Sequence, residues 1–155
     1  KILISVQVMD LMGKMRVIYS SDIKFSYRDC NLKNNLIFIS ATFKGKIESK
    51  EKIQKKMDNL INKKKKDQPS KIKTCGSTFK NPEHKKAWKL IKDSGCAGMQ
   101  IGDAHISEKH CNFFVNKGKA KSEDLEKLIY QVKKKVFNKT GINLELELQI
   151  IGNKL

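Results

Sequence analysis

Two stretches in the N-terminal part of the chain alternate between apolar residues and smaller or polar ones. Residues 2–9 alternate in this way, a turn follows at Asp10-Leu11-Met12-Gly13, and the largely apolar Met15–Tyr19 comes after the turn. A period of two residues is that of a β-strand, so these stretches predict a β-hairpin. Leu36–Phe43 shows the same period and predicts a third strand.

A helical period replaces this alternation at Lys50. The apolar residues then fall on one face, with lysines on the other, at Ile53, Met57, Leu60 and Ile61. This spacing predicts a helix that runs to about Lys66. The run Asp67-Gln68-Pro69-Ser70 ends the helix and predicts a domain boundary between residues 1–67 and 68–155.

Beyond this boundary, short helices and strands follow one another. Residues 76–82 predict a loop, because Gly76 frees the backbone and Pro82 blocks a helix, and a short helix around Trp88 follows. A segment interrupted by glycines at 95, 98 and 102 is predicted to add a short strand, and residues 112–116 predict another.

The C-terminal pattern predicts one more helix and one more strand. Ser122 is predicted to be the N-cap of a helix with a buried face at Leu125, Leu128, Ile129, Val132 and Val136, and Gly141 is predicted to end it. Residues 144–150 alternate between apolar and polar and predict a half-buried strand. The predicted fold class is α+β.

Composition indicates a soluble globular protein. The chain has 155 residues, of which 39% are hydrophobic, and its mean hydropathy is −0.53. No apolar run reaches the ~20 residues that span a bilayer, and no signal peptide is visible. Because Lys1 is already close to the first predicted strand, we expect a fragment of a longer protein.

A formal net charge of +17 first suggests a polyanionic partner. Only Arg16 and Arg28 are arginines, however, and nucleic-acid recognition favours the planar guanidinium fork. A basic nucleic-acid-binding module is therefore the rival hypothesis, and an anionic small substrate suits the same charge. The four cysteines and three histidines match no zinc-binding spacing, so we expect reduced cysteines and no metal site.

Four segments combine residue types that suit chemistry. They are Tyr27-Arg28-Asp29, Gly76-Ser77-Thr78-Phe79-Lys80-Asn81-Pro82, residues 107–113, and Glu145-Leu146-Glu147 with the following Ile150-Ile151-Gly152. Structural alternatives exist for each. Ser77 could cap an ordinary turn, and Arg28 could form a surface ion pair with Asp29. Glu147 could face solvent, and Tyr27 could pack against the sheet.

In order and spacing, these segments resemble the second half of the UDP-N-acetylenolpyruvoylglucosamine reductase family, which are flavoenzymes of peptidoglycan precursor synthesis. The resemblance covers nearly the whole chain, and the loop at residues 76–82 is its most specific motif. It implies an oxidoreductase in which NADPH reduces FAD, and the flavin passes hydride to the enolpyruvyl group of a UDP-sugar. The product would be UDP-N-acetylmuramate.

The resemblance also implies roles for single residues. Ser77 matches the family's proton donor, Arg28 matches the arginine that binds the substrate carboxylate, and Glu147 matches the second catalytic acid. Substrate contacts are implied for a further set: Tyr27, Lys80, Asn81, His110 and Asn112. From the sequence alone, His110 and Asn112 could equally be structural, and the lysines at 63–66 leave open which one faces the diphosphate.

Two positions depart from the family pattern, Asp103 in place of a usual glycine and Gln149 in place of a common basic residue. The short interval between Arg28 and Ser77 resembles the shorter subclass. The family's glycine-rich FAD segments precede the matching region, and residues 1–75 hold no such cluster. We therefore expect this chain alone to bind FAD poorly and to be inactive.

The resemblance also implies two domains with different roles. Residues 1–67 would be the C-terminal part of the FAD-binding domain, with a mixed sheet, and residues 68–155 a smaller α+β substrate-binding domain. The whole protein is expected to be a cytoplasmic monomer with no nucleic-acid or membrane partner. A degenerate relative that only binds UDP-sugars is disfavoured by the presence of Arg28, Ser77 and Glu147.

Overall fold

The computed structural model describes residues 2–32 and 35–152. The chain forms two compact units, Lys1–Ile53 and Gln54–Leu155. The division falls inside helix α1 (Lys50–Asp67), whose predicted position is confirmed and whose side chains are all exposed. The domain boundary predicted between residues 67 and 68 stays a prediction.

An antiparallel sheet forms the base of the first unit. Strand β1 (Leu3–Asp10) lies between β2 (Met15–Tyr19) and β5 (Leu36–Phe43), so the predicted hairpin and the third strand are confirmed. Val6 and Val8 of β1 are buried together with Ile23, and these residues form the core of the unit.

A second, very short hairpin of the first unit was not predicted. Strand β3 (Phe25–Ser26) pairs antiparallel with β4 (Asp29–Cys30), and the residues between them form a two-residue turn. Strands of two residues are too short to show a period in the sequence. The turn consists of Tyr27 and Arg28, which the sequence analysis had placed among the candidate site residues.

The second unit pairs a four-stranded sheet with two helices. Strands β6 (Lys73–Ser77), β7 (Gln100–Ile101), β8 (Ala104–Ile106) and β9 (Phe113–Asn116) form an antiparallel sheet in the spatial order β6-β9-β8-β7. Helices α2 (Ala87–Asp93) and α3 (Ser122–Thr140) contribute to one buried core with residues of β8 and β9. The core includes Phe79, Ile91, Ile106, Phe114, Leu128, Val132 and Leu144.

The α+β class is confirmed, but its details differ from the expectations. All pairings among the described residues are antiparallel, so the mixed sheet expected for the first part is not seen there. In the part of the chain that the structure describes, no helix is long and apolar enough to cross a membrane.

Two predictions about single positions need correction, and a third is confirmed. Gly76 and Ser77 belong to strand β6 rather than to a loop, because Ser77 still pairs with Phe113 of β9 after a bulge that contains Gly76. The N-cap of α3 is Lys121, whose backbone N–H donates to Asp124 Oδ2 at 2.9 Å, and Ser122 is the first helical residue. Gly141 does end the helix, with φ 70°.

Residues 144–150 are not a regular strand. They make one isolated bridge, between Leu146 and Phe79. The alternation in the sequence arises because Leu144, Leu146 and Leu148 pack against the core of the second unit. Burial of every second residue thus imitates a strand pattern without the ladder of a sheet.

Candidate active site

A β-bulge determines the direction of Ser77. Thr74 pairs with Val115 and Ser77 pairs with Phe113, so three steps along β6 correspond to two steps along β9. Gly76, with φ 83°, lies inside this irregularity and supplies the left-handed conformation that such a bulge uses. Opposite residues in an antiparallel pair share a face, so the extra residue moves Ser77 onto the face of Phe113 and Val115.

The segment that follows Ser77 lies between two other parts of the second unit. On one side, the Thr78 backbone N–H donates to the Asn112 carbonyl oxygen at 2.8 Å. On the other side, the Thr78 carbonyl oxygen accepts from the Glu147 N–H at 2.9 Å, and the Lys80 N–H donates to the Glu145 carbonyl oxygen at 2.9 Å. Thr78 is therefore bonded on both sides, and the Glu147 backbone is held next to the residue that follows Ser77, although the two lie far apart in sequence.

Residues 78–80, with Asn112 on one side and residues 145–147 on the other, form a hydrogen-bonded crossing. The two glutamates of this crossing have different surroundings. Glu145 is exposed, and its Oε2 lies 3.5 Å from Lys80 Nζ. Glu147 is half-buried, and its backbone is bonded to the residue that follows Ser77. The sequence pattern made the two residues equivalent, whereas the structure brings only Glu147 to the Ser77 end of the segment.

Asn112 is buried and uses its side chain on the backbone of Phe79. Its Oδ1 accepts from the Phe79 N–H at 3.0 Å, and its Nδ2 donates to the Phe79 carbonyl oxygen at 2.8 Å. The Phe79 side chain is fully buried and meets the Phe114 ring edge-on, with centroids 5.8 Å apart. Both polar groups of the Asn112 amide thus have partners within the protein.

Asn81 and His110 are close in sequence to two residues of this crossing, Lys80 and Asn112. Asn81 is half-buried, and its Oδ1 accepts the N–H of Ala87, the first residue of α2, at 3.0 Å. The half-buried His110 ring packs edge-on against Phe113, with centroids 4.8 Å apart. Burial lowers the pKa of His110, and its Nδ1 is buried with no hydrogen-bond partner among the described residues.

Arg28 and Tyr27 belong to the first unit. Both side chains are exposed at the turn between β3 and β4, and Arg28 Cζ lies 5.1 Å from the centroid of the Tyr27 ring. Arg28 has φ 61°, a left-handed conformation that costs a non-glycine residue about 1 kcal/mol. Such conformations concentrate at functional sites.

The structure therefore brings some of the predicted site residues together. Ser77, Lys80, Asn112 and Glu147 are linked through one hydrogen-bonded crossing of the second unit. The convergence of Arg28 and Tyr27 with this crossing stays a prediction. No role was predicted for Gly76 or Thr78. The sequence feature that could have indicated them is a glycine directly before a candidate serine.

The described residues can also be compared with the requirements of a metal site and of a nucleic-acid interface. No group of three or more His, Cys, Asp or Glu side chains there could hold a metal ion. Phe113 and Phe114 are buried, so their rings are not available for stacking on nucleic-acid bases.

The lysines at 63–66, which were candidates for contact with the diphosphate, lie at the end of α1. There the backbone oxygen of Lys65 accepts a hydrogen bond from Lys109 Nζ.

Comparison with known proteins identifies the family of this fold. Residues 68–151 match a family profile described as the C-terminal domain of UDP-N-acetylenolpyruvoylglucosamine reductase. The reductase of that name from Pelagibacter ubique is 52% identical over 97% of this chain and 51% of its own length. The one from Beijerinckia indica is 42% identical over 97% of this chain and 48% of its own length.

A solved structure agrees with these relatives. The crystal structure of UDP-N-acetylenolpyruvylglucosamine reductase from Thermus caldophilus is 33% identical and has a TM-score of 0.82, covering 96% of this chain and 52% of that chain. The chain thus spans about half the length of the relatives that it matches. It belongs to the UDP-N-acetylenolpyruvoylglucosamine reductase family, and its residues 68–151 correspond to the C-terminal domain.

Proposed function

We propose that this chain supplies the substrate-binding and proton-donating part of an enzyme that reduces UDP-N-acetylglucosamine enolpyruvate to UDP-N-acetylmuramate. The reaction would serve peptidoglycan precursor synthesis. The observation that supports the proposal is the bond between the Glu147 N–H and the Thr78 carbonyl oxygen, at 2.9 Å, which holds the backbone of the half-buried Glu147 beside the residue after Ser77.

The chemistry explains why these residue types are needed. When hydride adds to one alkene carbon, the π-electron pair moves to the adjacent carbon and into the substrate carboxylate as an enolate. The Arg28 guanidinium would stabilise this charge through a bidentate fork. The Ser77 hydroxyl would then protonate the adjacent carbon, and the Glu147 carboxylate would orient the substrate or assist that protonation.

The remaining predicted residues would bind the substrate around this centre. Lys80 lies on the segment after Ser77, and its ammonium suits a diphosphate oxygen. Asn81 and His110 would line the nucleotide side, and Tyr27 would lie beside the flavin or the substrate. The exposure of Tyr27 and the partial exposure of the other three are compatible with such contacts.

FAD and NADPH are the cofactors that the family resemblance implies. A dinucleotide pyrophosphate needs successive backbone N–H groups, usually from a glycine-rich turn. The first unit contains only Gly13, in the turn between β1 and β2, and Gly45. These residues do not form such a cradle, so we assign FAD binding to no residue of this chain. The cytoplasmic location and the monomeric state belong to the same proposal.

The test uses a full-length protein that contains this chain. Purified protein should carry flavin absorbance, and its continuous turnover of NADPH should require the enolpyruvyl UDP-sugar. Ser77→Ala should leave flavin reduction by NADPH unchanged, while flavin reoxidation by the UDP-sugar slows by about 10²-fold or more, the usual weight of a general acid.

Ser70→Ala serves as the matched control, since Ser70 is an exposed serine of the same unit. It should leave both half-reactions at the wild-type rate. Wild-type protein without flavin or without substrate-dependent NADPH oxidation would contradict the proposed enzyme. Equal loss of both half-reactions in Ser77→Ala would contradict the role given to the hydroxyl.

A further inference from the structure

The Asn112 side-chain amide makes the two hydrogen bonds to the Phe79 backbone that a neighbouring strand would otherwise make. A paired backbone normally offers one carbonyl oxygen and one N–H to the residue opposite, and the Asn112 amide offers the same two groups to Phe79, at 3.0 and 2.8 Å. The side chain is 4% exposed and the Phe79 side chain is fully buried. An amide buried in this way has lost its water, so its two protein partners determine its orientation.

Asn112 also bonds the residue that precedes Phe79. The Asn112 carbonyl oxygen also accepts from the Thr78 N–H at 2.8 Å, so Asn112 makes three hydrogen bonds to the segment after Ser77. The opposite side of that segment bonds to the chain around Glu147 and bridges Phe79 to Leu146. Asn112 thus holds one side of the crossing, and the chain that carries Glu147 forms the other side.

We infer that Asn112 is a positioning residue, which acts on the reaction through Phe79 and does not need to touch the substrate. The inference rests on the proposed function. Without the amide, Phe79 loses partners for a buried N–H and a buried carbonyl oxygen, and the segment can shift. A shift of 1 Å at a reacting group can cost about 10²-fold in rate, so Ser77 and Glu147 would both lose their alignment.

Asn116, the last residue of β9, offers a matched control. Its Oδ1 accepts from the N–H groups of Gly118 and Ala120 at 2.8 and 3.1 Å, and its Nδ2 donates to the Ala120 carbonyl oxygen at 3.3 Å. Asn116 therefore makes a comparable set of bonds to the backbone, but to the turn that follows β9. Asn116→Ala should lower stability without changing the protonation step.

The first experiment is a double-mutant cycle in the full-length protein, with flavin reoxidation by the UDP-sugar as the measured rate. Asn112→Ala alone should slow this step by about 10- to 100-fold and increase its solvent deuterium isotope effect, while flavin reduction by NADPH is unchanged. If Asn112 acts through Ser77, the Ser77→Ala/Asn112→Ala double variant should be within about twofold of Ser77→Ala. Multiplicative losses would overturn the inference.

The second experiment does not depend on activity. Hydrogen–deuterium exchange followed by mass spectrometry should show faster exchange at the Phe79 and Glu147 amides in Asn112→Ala and wild-type exchange there in Asn116→Ala. Unchanged exchange in Asn112→Ala would overturn the inference. If the wild-type protein has no reductase activity, the proposed function fails, and this exchange result still decides whether Asn112 holds the crossing.

Asn112→Asp covers the case in which Asn112→Ala does not fold. The aspartate keeps an acceptor for the Phe79 N–H, but its second oxygen faces the Phe79 carbonyl oxygen and can donate only when it is protonated. The rate of Asn112→Asp relative to wild type should therefore rise as the pH falls. A ratio that is independent of pH would contradict the pairing.

Discussion

The Glu147 backbone N–H donates to the carbonyl oxygen of Thr78 at 2.9 Å. This bond links the C-terminal segment of the chain to the residue after Ser77. The backbone of Glu147 is thereby brought from a distant part of the sequence to the residue that follows Ser77. The crossing is built from backbone bonds on the Glu147 side and from the side-chain amide and the backbone of Asn112 on the other side.

Glu147 and Glu145 provide a first prediction, because they lie on the same segment in different surroundings. Glu147→Gln should slow flavin reoxidation by the UDP-sugar by about 10²-fold, since a carboxylate that assists proton transfer is lost. Glu145→Gln removes an exposed ion pair with Lys80, of a kind worth less than about 1 kcal/mol, and should change the rate by less than about twofold. Stopped-flow absorbance measures both rates, and equal effects would contradict the assignment.

Gly76 provides a second prediction. A methyl group at this position would meet no atom within 4 Å, so the cost of Gly76→Ala comes from its φ of 83° alone and should be about 1 kcal/mol of unfolding free energy. Because the bulge directs Ser77, the reoxidation rate should also fall.

Gly13 is the matched control for this variant. It also has φ 83° and no atom within 4 Å of an added methyl group, but it lies in the turn between β1 and β2. Gly13→Ala should lose similar stability in urea unfolding and keep its reoxidation rate. Wild-type turnover in Gly76→Ala would show that the bulge does not control Ser77.

Arg28 provides a third prediction, in which stability and activity separate. Glycine adopts φ 61° without strain, so Arg28→Gly should relieve about 1 kcal/mol, partly offset by the greater freedom of glycine in the unfolded chain. The unfolding free energy should change little, while substrate reduction falls by about 10²-fold or more through loss of the guanidinium.

Arg16→Gly removes the same charge from strand β2 and serves as the control. Glycine inside a strand is unfavourable, so this variant should be less stable than wild type by about 1 kcal/mol yet keep its substrate-reduction rate. The prediction for Arg28 is wrong if Arg28→Gly is strongly destabilised or fully active.

The fourth prediction concerns pH. Burial lowers the pKa values of His105 and His110 from the ordinary value of 6.5, and Lys117 lowers that of His105 further. Below pH 6.5 the unfolded chain therefore binds more protons than the folded chain, so the unfolding free energy falls as the pH falls. Above that pH, the contribution of both neutral histidines is complete.

Urea unfolding between about pH 7.5 and about pH 5.5 measures this loss of stability. The His105→Gln/His110→Gln double variant should lose less stability over that interval than wild type does. An unchanged slope in the double variant would contradict the effect of burial.

Long periodic segments could be predicted from the sequence, and short irregular ones could not. Strands β1, β2 and β5 and helices α1 and α3 each repeat their period several times, so the pattern identified them. The β3–β4 hairpin has strands of two residues, and no period can be read from two positions. For residues 144–150 the error is the opposite one. Alternate leucines pack against the core and produce a period of two residues, although these residues form no regular strand.

The candidate site shows the same limit at single residues. Ser77 and Glu147 were identified by resemblance, and the sequence pattern could not separate Glu147 from Glu145, because the difference depends on a bond to Thr78. The partner of the Asn112 amide likewise depends on tertiary contacts with Phe79. Local sequence carries residue types, whereas these pairings exist only in the folded chain.

The bulge between Thr74 and Ser77 has a consequence for how this family can vary in length. Deleting one residue there would restore regular pairing with β9 and remove the bend that the bulge gives to the strand directly before the serine. Loops elsewhere can gain or lose residues at little cost. We therefore expect natural insertions and deletions to avoid this interval, so that a fixed count of residues before the serine is itself a mark of a working enzyme.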